Sequence, residues 1–364
     1  MNAGIDSPAP SSRLAGGGPE QEAARVGGRV SWVDAAKGVG IFLVVVGHTL
    51  RGVVGGGLTT WTPPARAVDD WIYSFHMPLF FFLSGLFLAR SAAKPFGVFA
   101  GDKLRTIAYP YLVWSTLTVI IKVGLGRLAN NPRGFSDLAR IARDPIEQFW
   151  FLYVLFFLVM AAGVLLKAGA GPLGLVALAM VAYPGVVPVS TGGWAPLIEA
   201  RFFAIYLAAG IVFGAGRGAT AAAKARGPWL IALAVAGLLA PTLAVAWGVT
   251  GREWLRPFLA SGGIAGVVAA SVLADRGRFA GAIAVLGRYS LEIFVAHTIA
   301  SAALRIVLQK FLKIHDPATH LTLGTIAGLL GPLALAVACR RVGFPHAFTL
   351  PKRAGIRPQP SAPA

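Results

Sequence analysis

Apolar residues gather along the chain into ten stretches, and short segments rich in Gly, Pro, Arg and Lys separate them. Crossing the hydrocarbon layer as a helix takes roughly 20 predominantly apolar residues. The pattern predicts spans at Val33–Val54, Asp70–Leu88, Leu104–Leu125, Phe149–Ala168 and Gly171–Val189. It predicts five more at Ile198–Gly216, Pro228–Gly248, Phe258–Asp275, Tyr289–Lys310 and Leu321–Cys339. The weaker stretch Arg278 to Gly287 reads as an interfacial segment before the ninth span. The fold class predicted is all-α, a polytopic transmembrane helical bundle of about ten spans. Residues 1–30 and 342–364, rich in Gly, Ala, Ser and Pro and lacking periodicity, read as disordered tails flanking a membrane domain at 31–341.

Composition supports that reading. Of 364 residues, 56% are hydrophobic and only 13% charged, with a mean hydropathy of +0.68, a profile of a membrane protein rather than a soluble globule. The net charge of +18 does not point to nucleic acid, because the basic residues fall in short loops between apolar spans. They serve better as topology signals and contacts to anionic lipid heads. Arg13, Arg25, Arg29, Arg90, Lys94, Lys103, Arg105, Arg217, Arg276, Arg340 and Arg341 fall on one side if both termini are cytoplasmic. The loop from Gly126 to Gln148 is the exception, its arginines offset by Asp137, Asp144 and Glu147. The single cysteine, Cys339, excludes an internal disulfide and a multi-cysteine metal site. No secretory signal is read, since Met1 to Arg29 has no apolar core.

Polar residues inside the spans carry the candidate chemistry, because ionisable groups in a bilayer are costly and face a protein interior or a wet cavity. In the first span, Lys37 and His48 are eleven residues apart and return to nearly the same helix face, with Asp34 one turn before Lys37. His48 lies about 16 Å deeper than Lys37. A lone His in a span is as often a helix–helix hydrogen-bond partner. The run Ser74-Phe75-His76-Met77-Pro78 to Ser84-Gly85 sets a second imidazole beside a proline that bends a helix, which in a membrane is tolerated where it lines a cavity. The alternative there is an aromatic packing face with a tolerated kink.

Lys103 and Arg105, at the entrance of the third span, serve either positive-inside anchoring or the phosphates of a cytoplasmic donor. Trp150, in Gln148 to Tyr153, fits an interfacial aromatic belt on residue type alone. Glu199 and Arg201 open the sixth span and pair with each other or with a substrate. In the ninth span Ser290, Glu292 and His297 are polar on an apolar helix, and Glu292 requires a cationic partner or a raised pKa. His297 is equally well read as structural. A phosphate-cradling loop, a His-Glu-x-x-His zinc motif and a Gly-x-Ser-x-Gly elbow are all missing, which argues against ATP-driven transport, zinc hydrolysis and serine hydrolysis.

Asp34, Lys37, Gly38 and the run to Gly47-His48, followed by Phe75-His76-Met77-Pro78 through Ser84-Gly85, resemble the integral-membrane acyltransferase 3 family. The fucose 4-O-acetylase-like branch is the most similar. Lys103, Arg105, Pro110, Trp150-Phe151-Leu152 and Ser290 to His297 add to the resemblance, which covers Trp32 to Cys339. Its middle, Leu165 to Pro257, matches in hydropathy only. Many family members have Arg where this chain has Lys37, which keeps the charge and loses bidentate anion binding.

The resemblance implies that 31–341 is a membrane acyltransferase domain in the cytoplasmic membrane of a bacterium. It implies transfer of an acyl group, most often acetyl from acetyl-CoA as donor co-substrate, to a hydroxyl of a cell-surface or exported saccharide, with no resident cofactor or metal. A positioned imidazole taking the proton of a sugar hydroxyl suits that chemistry, and His48 is the base in this reading. His76 polarises the thioester or binds the acceptor, and Asp34 joins the two as a catalytic candidate. Lys37, Lys103 and Arg105 are assigned to the donor, and Trp150, Glu292, His297 and Ser84 to the saccharide. An acyl-enzyme on a His or Ser stays open. Two rival readings are a transporter or flippase for a lipid-linked saccharide, and a noncatalytic membrane scaffold.

Overall fold

The first membrane helix, α1 (Ser31–Gly55), runs beside a second, α2 (Pro63–Gly85), after a short turn. The computed structural model describes residues 30–277 and 280–350. From Trp32 onward the chain forms one compact unit, built among the described residues from helices without strands. The N-terminal tail expected at 1–30 lies almost wholly outside the described residues.

Local chemistry sets the helix starts. Thr62 accepts from the Ala65 N–H, and Pro63 and Pro64 occupy the first turn of α2, where missing N–H groups cost nothing. The helix therefore begins seven residues before the predicted span and carries Asp69 and Asp70 inside it. It continues through Pro78 without ending there. The third span is longer than expected: α3 (Phe96–Lys103) passes through a π-turn at Leu104–Ala108 into α4 (Tyr109–Leu125). The π-turn precedes Pro110, whose ring cannot take a regular place in the ladder.

Next come α5 (Trp150–Lys167), α6 (Gly171–Ala182), α7 (Ala195–Ala215), α8 (Gly227–Ala246) and α9 (Arg256–Arg276). The chain ends with α10 (Ala280–Arg288), α11 (Ser290–Ile306, prolonged by a π-turn to Phe311) and α12 (Pro317–Arg341). Among the described residues eight helices are long and apolar enough to cross a membrane. Helix α2 is 23 residues long but polar at its start. The fifth predicted span, 171–189, is only partly helical, since α6 has 12 residues, about 18 Å at helical rise. Residues 183–194 follow it without a helix, and Arg201 from α7 donates to the carbonyls of Ala182 (2.8 Å), Val187 (2.7 Å) and Val189 (3.3 Å). Arg201 thus satisfies backbone left open where α6 ends, and it does not pair with Glu199.

Small residues let the helices cross closely, as packing within lipid requires. A side chain at Gly210 or Gly214 of α7 would collide with the carbonyls of Phe82 or Leu86. The segment read as interfacial is α10, and its Gly287 lies against the Asp34 carbonyl while Gly38 lies against that of Ile283. Asp316 caps α12, accepting from the Thr319 N–H at 2.7 Å and hydroxyl at 2.6 Å. Those two bonds hold its carboxyl below the usual carboxylate range.

Residues 342–350, read as the start of the C-terminal tail, are docked on the bundle. Phe348 is buried and stacks on Trp114 with ring centres 5.2 Å apart. Tyr109 donates to the His346 carbonyl (2.7 Å), Trp114 to that of Ala347 (2.9 Å) and Arg105 to that of Leu350 (3.0 Å). These aromatic and hydrogen-bonding groups fix 346–350 against the π-turn and α4. Residues 351–364 lie outside the described residues.

Candidate active site

Helices α1 and α2 bring His48 and His76 to a common cavity of about 740 Å³, and His297 of α11 packs against His48 without lining it. His48 and His297 sit edge to face with ring centres 5.1 Å apart. Tyr73 links the third, its ring 4.5 Å from His76 and 6.3 Å from His48.

All three imidazoles are anchored alike. Nδ1 of His48 bonds the Val44 carbonyl at 2.9 Å, that of His76 the Ile72 carbonyl at 2.8 Å, and that of His297 the Phe294 carbonyl at 2.8 Å. A carbonyl oxygen only accepts, so Nδ1 carries the hydrogen, and Nε2 of each neutral ring is left as an acceptor. Among the described residues Nε2 of His76 and Nε2 of His297 have no partner. Buried polar atoms without partners are rare in native proteins and mark places where a ligand or water completes the bonding.

Around the imidazoles a mostly apolar wall carries a few polar groups. Gln148 donates to Thr298 Oγ1 at 2.9 Å. Lys122 pairs with Glu147. Arg51 grips Asp69 in a fork, Nε to Oδ1 at 2.7 Å and Nη2 to Oδ2 at 2.8 Å, and its guanidinium lies 3.3 Å from the Tyr73 ring centre. The fork takes two of its nitrogens. Exposed Asn130 and Asn131 stand at the rim, so the cavity opens to the surface there. A second cavity of about 490 Å³, with Asp70, Glu199, Arg256, Tyr183 and Tyr206 in its wall, shares Arg51 and Tyr73 with the first. That pair partitions the two spaces.

His48, His76 and Trp150 therefore meet at one cavity, with His320 of α12 also in its wall, while His297 reaches it only through its contact with His48. Other candidates lie elsewhere. Asp34 is fourteen residues before His48 on one helix, about 21 Å away, too far to touch a group reacting at His48. Lys37 lies on that same side. Ser84 donates to the Phe80 carbonyl of its own helix at 2.7 Å, a local bond that leaves it outside both cavities. Glu292 has the cationic partner its burial demands, Arg340 at 2.8 Å, which also donates to the Tyr289 hydroxyl at 3.2 Å. It too lies outside both cavities. Lys103 sits 5.6 Å from the Phe99 ring centre, and Arg105 pairs with Asp102 at 3.1 Å. Neither reaches a cavity. Sequence reasoning missed Arg51, Asp69, Tyr73, Gln148 and Arg305. The signal for Arg51 was present, one turn beyond His48 on the same stripe.

The acyltransferase domain family matches residues 30–339, which takes in every helix that lines the cavities. The chain belongs to the acyltransferase 3 family. It is 32% identical over 127 residues to nodulation protein NolL of Mesorhizobium japonicum, a match spanning 34% of this chain and 32% of that protein. It is 30% identical over 122 residues to nodulation protein NolL of Sinorhizobium fredii, spanning 33% of this chain and 32% of that protein. The match thus spans about a third of the length of these curated relatives. No solved structure matches the chain.

Proposed function

We propose that this protein is a membrane O-acyltransferase that moves an acyl group, most often acetyl, from acyl-CoA to a hydroxyl of a cell-surface or exported saccharide in the cytoplasmic membrane of a bacterium. The observation that carries the reading is the convergence of two Nδ1-anchored imidazoles, His48 and His76, on one cavity in an acyltransferase 3 chain. The matched relatives are nodulation proteins by name.

In this reading His48 Nε2 takes the proton of the acceptor hydroxyl as its oxygen attacks the thioester carbonyl carbon. The oxyanion collapses, the new C–O ester bond stays and the C–S bond breaks. The proton passes from His48 to the departing thiolate, giving free coenzyme A. Arg51, with Nη1 left over from its fork on Asp69, supplies positive charge for the oxyanion. Neutral His76 presents an acceptor nitrogen and no donor, so it suits holding an acceptor hydroxyl and does not suit polarising the thioester.

Lys37, eleven residues from His48 on the side away from the rim, fits a phosphate of the donor, with Lys103 and Arg105 further contacts at the entrance. Membranes incubated with acetyl-labelled acetyl-CoA test this. Alkali-labile label in the saccharide fraction is expected, whereas a saccharide that changes sides without gaining label would make the protein a flippase.

A further inference from the structure

Arg305 is a cation without an anion. It lines the histidine cavity and is only 8% exposed. Among the described residues it has neither an ion pair nor a hydrogen bond. A guanidinium so withdrawn from water is ordinarily paired. We infer that the Arg305 end of the cavity is an anion subsite, and that the acceptor saccharide carries a carboxylate or phosphate that Arg305 binds.

The position supports this. Thr298, Ser301 and Arg305, at helical spacings of three and four, form one stripe of α11 that lines the cavity. Helix α1 runs alongside in the same direction: His48 meets His297, and eight residues on, Gly56 meets Arg305. A side chain at Gly56 would come within 2.8 Å of Arg305 Nη1. Arg305 thus stands about 12 Å beyond the imidazoles, and Lys37 about 16 Å before them. The two cations flank the imidazole layer from opposite ends. If Lys37 meets the donor phosphates, the opposite cation faces the other substrate.

Arg305 is not needed to cap α1, where a cation would otherwise be at home. The carbonyl of Gly52 already accepts from Asn130 at 3.1 Å, that of Gly56 from Gln309 at 3.3 Å, and those of Val53 and Val54 from the Leu58 and Gly57 N–H groups.

This rests on the acyltransferase reading only for calling the anion part of an acceptor. The test uses the full-length protein in nanodiscs of zwitterionic lipid, with methyl β-glucuronide, glucose 6-phosphate and neutral methyl β-glucoside as probes. At least one anionic probe should bind wild type ten times or more tightly than the glucoside. Arg305→Gln should erase that preference and Arg305→Lys should keep part of it. Equal binding of charged and neutral probes by wild type overturns the proposal whether or not the variants fold. Tenfold weaker coenzyme A binding by Arg305→Gln would give the residue to the donor phosphates. Displacement of the anionic probes on adding phosphatidylglycerol would give it to a lipid headgroup. Either result overturns the acceptor assignment. Acetyl-CoA consumption is read separately: anion preference without it keeps the subsite and rejects the acyltransferase, and consumption without anion preference does the reverse.

Discussion

His48 and His297 approach edge to face, 5.1 Å between ring centres, from helices almost 250 residues apart in the chain. Each ring donates Nδ1–H backwards to its own helix, so what each leaves unbound is acceptor character, and His48 carries it to the cavity wall. Two acceptors side by side bind donors well and bind each other not at all. That is the arrangement expected around a hydroxyl-bearing substrate.

Arg51, held by its fork on Asp69, stands with Tyr73 between the two cavities. Arg51→Lys keeps the charge but loses the fork, and Asp69→Asn leaves the guanidinium uncompensated. Each single variant should lower acyl transfer at least tenfold. In the double variant the losses should fail to add, with a coupling on the order of 1 kcal/mol. Strict additivity would show that the two residues act independently.

Lys37 is assigned to donor phosphate. Lys37→Ala should raise KM for acetyl-CoA about tenfold with kcat little changed, as loss of uniform binding does. Lys37→Arg should retain or improve donor affinity, since a guanidinium fork suits phosphate. An unchanged donor KM in Lys37→Ala would remove the residue from the donor site.

Much of the bundle was legible because crossing a bilayer leaves a long apolar record, and helices occupy each of the ten predicted positions. Element ends were less so. Pro63 and Pro64 extend α2 outward past its apolar stretch, and α6 stops early because Arg201 can satisfy the following backbone. His48 and His76 stood out as ionisable groups within apolar runs. Their meeting with His297 and Arg305 depends on helix packing, which no local pattern records. Ser84 and Glu292 misled for a related reason: polar residues in spans are also satisfied by their own helix or by a neighbouring Arg. Phe348 escaped notice because a proline-rich stretch conceals a few residues with a buried docking place.

The crossing of α1 and α10 depends on Gly287 lying against the Asp34 carbonyl, a backbone atom that cannot swing aside. Gly287→Ala should destabilise the protein by about 1–3 kcal/mol, as overpacking does. Gly281→Ala in the same helix has open space and should be neutral or slightly stabilising. Thermal unfolding in detergent compares them, and equal midpoints would contradict the packing described.

The docked end of the chain makes its own prediction. Phe348→Ala removes a buried ring from Trp114 and should cost about 3 kcal/mol. Phe344→Ala, at a site 55% exposed, should cost little. A similar melting temperature for both would mean that the Trp114 contact contributes nothing.

The most direct measurement of the central claim is ester content in saccharides from cells carrying the wild-type gene, a deletion, or His48→Ala, with membrane levels of the protein matched. A base that takes the proton of the attacking hydroxyl contributes about 10²–10⁴-fold, so alkali-labile acyl groups should vanish in both altered strains. Acylation persisting at the wild-type level with His48→Ala would contradict the assignment of His48 as the base.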